Sequence, residues 1–170
     1  MNKVKFGLYI VALAAGIAVS LASTVQAQTA KADSYETSLL GLIFNGTAIA
    51  DLAENDSTSP ATSLYLSLHS ADVGEAGSQT TNECAYTGYG RAAVTRNSGG
   101  FTVAGDTVAL ASATDFPAAT GGTCTATHFA VGTASSGAGV VLYYGSLSPS
   151  IAISDGVTPR LGTGTTITED

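Results

Sequence analysis

The sequence predicts an all-β fold, an antiparallel β-sandwich or jelly roll preceded by one short N-terminal helix. Three observations predict it. From residue 63 onward, short apolar-rich runs recur, and Gly, Ser, Thr, Asp or Pro breaks them about every eight to twelve residues, the rhythm of brief strands joined by turns. The first of these runs, Leu64-Tyr65-Leu66-Ser67-Leu68, alternates with the two-residue period of a strand. Helical spacing occurs clearly in one place only, ahead of that region.

The elements follow in chain order. Lys3 and Lys5 precede a run of apolar or small residues over 6–22, and Val25-Gln26-Ala27 offers small residues at a cleavage position, the pattern of an export signal removed after Ala27. The alternative is a retained anchor. No charge stands between Lys5 and Lys31, and a helix over 6–30 is long enough to cross a hydrocarbon layer of ~30 Å, which is the only route to a membrane role. The expected organisation is therefore a signal or anchor over 1–27, a lead, short helix and loop over 28–62, and a sandwich domain over 63–170.

Asp33 stands three residues before Glu36, a capping-box arrangement that satisfies backbone donors at a helix start. Tyr35, Leu39, Leu42 and Ile43 follow at helical spacing, and Asn45-Gly46 supplies a stop. These features predict a helix over 34–44. Its apolar stripe is narrow, so it must pack on the sandwich or on a neighbouring subunit. Asp51, Glu54, Asn55, Asp56, Ser57, Ser59 and Pro60 give residues 51–62 a loop composition.

In the first strand, 63–69, Leu64, Leu66 and Leu68 share one face, while Tyr65, Ser67 and His69 share the other. Residues 70–83 form a long polar loop containing Gly74 and Gly77. Further strands are expected over 90–95, 100–104, 107–110, 125–132, 139–146, 150–154, 158–161 and 163–168. Neither an internal repeat nor a heptad stretch is present. Assembly into a fibre or lattice must then use the sandwich, the helix, or an edge strand such as 163–168.

Composition limits the function classes. The 170 residues carry six Lys and Arg against thirteen Asp and Glu, a net charge of −7. Without residues 1–27 the cations left are Lys31, Arg91, Arg96 and Arg160, too few to neutralise a run of phosphates, so nucleic acid is excluded as a partner. Cys84 and Cys124 are the only cysteines. In an exported chain such a pair is a disulfide candidate, closing about 40 residues and worth on the order of 4 kcal/mol by chain entropy; the alternative is two buried thiols.

Chemistry-bearing patterns are sparse. Gly88-Tyr89-Gly90-Arg91-Ala92-Ala93 spells part of a dinucleotide loop, but no helix is expected after it, so no cofactor is implied. His69 and His128 are the two histidines, with no G-x-S-x-G or H-E-x-x-H motif, and no catalytic residue is assigned. Asp72 and Glu75, with Asp56 or Glu83, could gather a calcium ion, but their spacing matches no calcium loop and reads as a solvated loop, so no metal ligand is assigned. Tyr86, Tyr89 and Tyr144 are the surface-contact candidates, each joining an apolar ring to a polar tip. Tyr143 points opposite to Tyr144 if both share a strand.

Four blocks, in order, resemble a family of small bacteriophage virion proteins, the tail fibre proteins. They are Leu64-Tyr65-Leu66-Ser67-Leu68 leading into Ala71-Asp72-Val73-Gly74-Glu75, then Tyr86-Thr87-Gly88-Tyr89 before Arg91, then Phe116-Pro117-Ala118-Ala119-Thr120, and finally Thr127-His128-Phe129. The resemblance runs from about residue 33 to residue 170. It implies a compact β-sandwich serving as a building block or attachment surface of a virus particle, with no catalytic residues. Two features stand outside the family pattern, the export-like segment and the cysteines at 84 and 124.

The expected function is a non-enzymatic structural subunit of a virion or extracellular assembly. It would form a homo-oligomer through sheet edges and the helix, or join other structural subunits, with a host-surface glycan as a further candidate partner. Its expected location is extracellular or on the virion surface. The alternative is an exported bacterial filament subunit or a carbohydrate-binding surface adhesin.

Overall fold

The computed structural model describes residues 33–49 and 61–169. The export-like segment, the lead and most of the expected loop over 51–62 lie outside the described residues, as do the side chains of residues 33–35, Asp33 and Tyr35 among them. One helix and nine strands follow: α1 Asp33–Asn45, β1 Ser63–His69, β2 Ala92–Thr95, β3 Phe101–Ala104, β4 Thr107–Leu110, β5 Thr114–Asp115, β6 Cys124–Gly132, β7 Val141–Ile153, β8 Arg160–Leu161 and β9 Thr166–Thr168.

A four-stranded antiparallel sheet in the order β2-β1-β6-β7 faces a three-stranded antiparallel sheet in the order β3-β4-β9, and β5 and β8 form a small ribbon at one end. This is the expected all-β sandwich. Its core follows from register. Leu64 opposes Val94, Leu66 opposes Val131, and Leu68 opposes Phe129 across the first sheet, so their apolar side chains fall on one face. That face meets Phe101, Val108 and Leu110 of the second sheet, and all nine are buried.

α1 closes one end of this core. Of the expected stripe, Leu39, Leu42 and Ile43 are half-buried; Leu40 and Phe44 are fully buried instead, with Glu36 almost so. The reason is tertiary. The Phe44 ring stacks edge-on against Phe101 with centroids 4.9 Å apart, and it lies 5.5 Å from the Tyr143 ring, which rotates the helix toward β3. At its end, the Arg96 guanidinium donates to the carbonyls of Leu42 and Ile43, groups that the terminating helix leaves unpaired. Thus α1 packs on its own sandwich.

Two expectations about strands need correction. The separate strands over 139–146 and 150–154 are one strand, β7, interrupted by a wide bulge: Ala126 pairs with Ile151 and His128 with Ser146, leaving residues 147–150 opposite Thr127 alone. The two-residue strand β5 was not expected, being too short to show a period. Ser67 and His69, on the face of β1 opposite its three leucines, are sealed from solvent. Both have 0% exposure, because the chain after β1 folds back over that face.

The fold-back begins at once. Ser70 N–H donates to the Asn82 carbonyl at 2.8 Å and Cys84 N–H to the Leu68 carbonyl at 2.8 Å, so the ends of the long loop are stitched to each other and to β1. The Cys84–Cys124 disulfide then ties the base of this loop to the first residue of β6. Closing a loop of sequence separation 40 restricts the unfolded chain, which predicts about 4 kcal/mol of stabilisation. Denaturant unfolding with and without excess reductant should show a loss of that order; coincident unfolding curves would contradict it.

Candidate functional site

The residues richest in chemistry lie together on the outer face of the first sheet, under the segment that links β1 to β2. Arg91 is the centre. Its side chain is 2% exposed and meets Glu83 in a two-pronged ion pair, with Nε 2.7 Å from Oε1 and Nη2 2.8 Å from Oε2. The guanidinium also donates to the carbonyls of Ala134 and Gly137, at 2.8 and 2.7 Å. Removing a charge from water costs several kcal/mol unless partners replace the lost hydration; here a carboxylate and two carbonyls do so. Glu83 accordingly holds the Arg91 guanidinium still more firmly in its charged form.

Tyr89 extends the cluster. Its hydroxyl donates to Glu83 Oε1 at 2.8 Å and accepts from Leu68 N–H at 3.2 Å, and burial pushes its pKa well above the ordinary tyrosine range. Gln79 pins the same segment further along: its Oε1 accepts from Ala134 N–H at 2.9 Å and its Nε2 donates to the Tyr65 carbonyl at 3.4 Å. A Cβ on Gly132 or Gly139 would come within 2.2 or 2.3 Å of the Gln79 side chain. Only glycine at both positions leaves room for it.

Ser67 and His69 have the spacing of a nucleophile and base. Ser67 Oγ lies 2.8 Å from His69 Nε2, and His69 Nδ1 lies 2.8 Å from the Thr81 carbonyl. A carbonyl only accepts, so Nδ1 carries the proton, Nε2 accepts from the Ser67 hydroxyl, and the imidazole is neutral. Burial pushes its pKa down. Yet both residues have 0% exposure, so no substrate atom can approach the hydroxyl. The pair is internal bonding. His128 opposes His69 across the β1–β6 ladder and bonds the neighbouring Thr127 hydroxyl at 2.9 Å.

Other candidates resolve simply. Gly88 adopts φ +92°, and the chain beyond it enters β2 and not a helix, so no phosphate cradle forms there. Asp72 Oδ1 accepts from Gly74 N–H at 2.9 Å. Among the described residues no three His, Cys, Asp or Glu side chains come together as a metal site, and Asp56 lies outside them. Every buried side-chain nitrogen or oxygen among the described residues has a partner.

Of the three tyrosines expected at the surface, Tyr86 is 3% exposed and donates to the Pro117 carbonyl at 2.8 Å. It therefore lies in the core. Its ring meets Tyr89 edge-on at 5.2 Å, and both hydroxyls find internal acceptors, which removes the penalty of burying them. Tyr89 is half-buried, and Tyr144, on β7, is exposed. Tyr143 points inward as expected, its ring on Phe44 and its hydroxyl donating to Glu169 at 2.7 Å.

Tyr144 and Val140 are the two large hydrophobic side chains left exposed among the described residues. They sit at the outer edge of the first sheet, in a stretch from 139 to 154 that contains no charged residue. Beside it, an open groove runs between Leu147, Ser148 and Ile151 on one side and Arg160, Gly162 and Thr165 on the other. This edge was not singled out from the sequence; the signal available was a long charge-free run in an acidic chain. The arrangement offers contact area and hydroxyls.

Two outcomes test the buried cluster. Arg91→Met leaves the Glu83 carboxylate without its partner and is expected to cost about 3 kcal/mol or more, whereas Arg160→Met, at an exposed pair with Asp115, should leave the unfolding midpoint unchanged; equal effects in denaturant titrations would contradict this. For His69, the unfolded imidazole has a pKa of 6.5 and the folded one a lower value. Below about pH 6.5 the unfolded chain gains a proton that the fold rejects, so stability is complete above that pH and declines as pH falls toward the folded pKa. An NMR titration should place His69 below the free imidazole value, and a value at or above it would contradict the buried neutral ring.

The sequence matches no curated protein. Residues 30–168, which include α1 and all nine strands, match the family model described as podophage GP4 fiber I protein gp80. With that match spanning most of its length, the chain belongs to the podophage GP4 fiber I protein gp80 family, a family of phage fibre structural proteins.

Proposed function

We propose that this chain is a structural subunit of a podophage fibre, carried on the virion surface and acting through self-association and contact with other virion components without catalysing a reaction. The observation that carries this reading is the family match over residues 30–168. The physical arrangement supports it. Groups able to do acid–base or nucleophilic chemistry, His69, Ser67, Glu83 and Tyr89, are spent on internal bonds, while the exterior at β7 is uncharged and partly apolar. Such a surface suits packing.

Tyr144 is the surface-contact residue within this reading, and export with cleavage after Ala27 belongs to the same proposal. Mass spectrometry of purified phage particles, with immunogold labelling by antibodies against residues 61–169, tests both parts. The expected result is label on the fibres and an N-terminal peptide beginning at Gln28. Absence of the chain from purified particles would overturn the fibre assignment, and an intact Met1 would overturn the processing.

A further inference from the structure

The outer edge of β7 has two stops. At one end the isolated Ser78–Val140 bridge covers it; at the other the bulge over 147–150 bends it away from a straight course. Between them lie Leu142, Tyr143, Tyr144, Gly145 and Ser146, which pair only with β6 among the described strands. An edge strand leaves half of its backbone N–H and C=O groups turned outward without a strand partner, and folded proteins ordinarily guard such a row with a charge, a proline or a bulge. Pro149 and the bulge lie beyond this stretch, and no charged residue stands within it. It is an unguarded edge of defined length.

We infer that this edge is the contact between two copies of the chain. The inference rests on the fibre-subunit reading and specifies where that subunit meets its like. Charge selects the occupant. The chain carries a net charge of −7, so copies repel across most surfaces, but residues 139–154 and 161–168, which flank the open side of the sandwich, hold no charge at all. Two copies meeting here bring no carboxylates together. Apolar exposure selects the same place, because Tyr144, 37% exposed, is at its centre and Val140, 63% exposed, stands at its end beside the Ser78 bridge.

Geometry fixes the mode of contact. Identical edges pair antiparallel about a two-fold axis, which makes the interface closed and self-complementary. For both cores to lie on the same side of the joined sheet, opposed residues must come from the same face. An axis at Tyr144 satisfies this: Tyr144 opposes its own copy, Leu142 opposes Ser146 of the second chain, and two four-stranded sheets merge into one. The bulge and the Ser78 bridge prevent slippage in either direction.

The test uses protein expressed from the full gene, with mass measured by light scattering across a concentration series. The unchanged chain should give twice the mass of a single chain. Tyr144→Lys places two like charges opposite each other, and Ser146→Lys puts a charge at each flank; each should raise the dissociation constant at least about tenfold, equivalent to about 1.4 kcal/mol, with the thermal midpoint of the monomer unchanged. Tyr144→Phe should retain the dimer, as should Ala152→Lys beyond the bulge. A monomer for the unchanged chain, an assembly insensitive to both lysines, or a ring of three or more copies would overturn the two-fold edge contact. If the chain is nonetheless found in purified particles, this inference fails alone and the fibre assignment stands.

Discussion

The ion pair of Arg91 with Glu83 is the constraint on which the rest of this structure depends. It sits where the segment between β1 and β2 crosses the outer face of the first sheet, and it joins three stretches distant in sequence: the end of that segment, the loop base beside Cys84, and the turn at 134–137 before β7. A sandwich ordinarily leaves one face of each sheet to water. Here that face is roofed, and a roof over backbone and polar side chains is stable only if each group beneath it is bonded. The two-pronged pair, the Tyr89 hydroxyl and the Gln79 amide meet that requirement, and the disulfide restrains the same loop covalently.

The functional consequence comes from what the roof consumes. Ser67, His69 and Thr81 are arranged as an acid–base relay would be, but the roof seals them and turns their bonds to structural use. Polar chemistry is thereby directed inward, and the outside of the molecule is left with acidic loops and one neutral, partly apolar edge. This division fits a part that is recognised by shape. Membership of a phage fibre family agrees with it.

Much of the architecture was legible in the sequence because it depends on local alternation. Leu64, Leu66 and Leu68 announce β1 and its buried face, and β4 falls where Thr107, Val108, Ala109 and Leu110 place it. What escaped depends on contacts between distant segments. Nothing local in Ser67 or His69 tells of a loop returning from residue 91 to cover them. Likewise the helix face is chosen by Phe101 and Tyr143, more than fifty residues away, and the bulge in β7 is visible only in its register with β6. Tyr86 was misplaced for the same reason: a tyrosine in a glycine-rich loop looks exposed until the Pro117 carbonyl is brought to its hydroxyl.

On this view the segment from 70 to 91 is part of the folded core structure and opens only with it. Native-state hydrogen exchange tests it most directly, through the Ser70 and Cys84 amides that bond to Asn82 and Leu68. If the roof is integral, both amides exchange only when the whole domain unfolds, with protection equal to that of Leu66 at the centre of β1. Exchange of Ser70 and Cys84 at the rate of exposed turns, while Leu66 stays protected, would show that the roof opens on its own and would contradict the account.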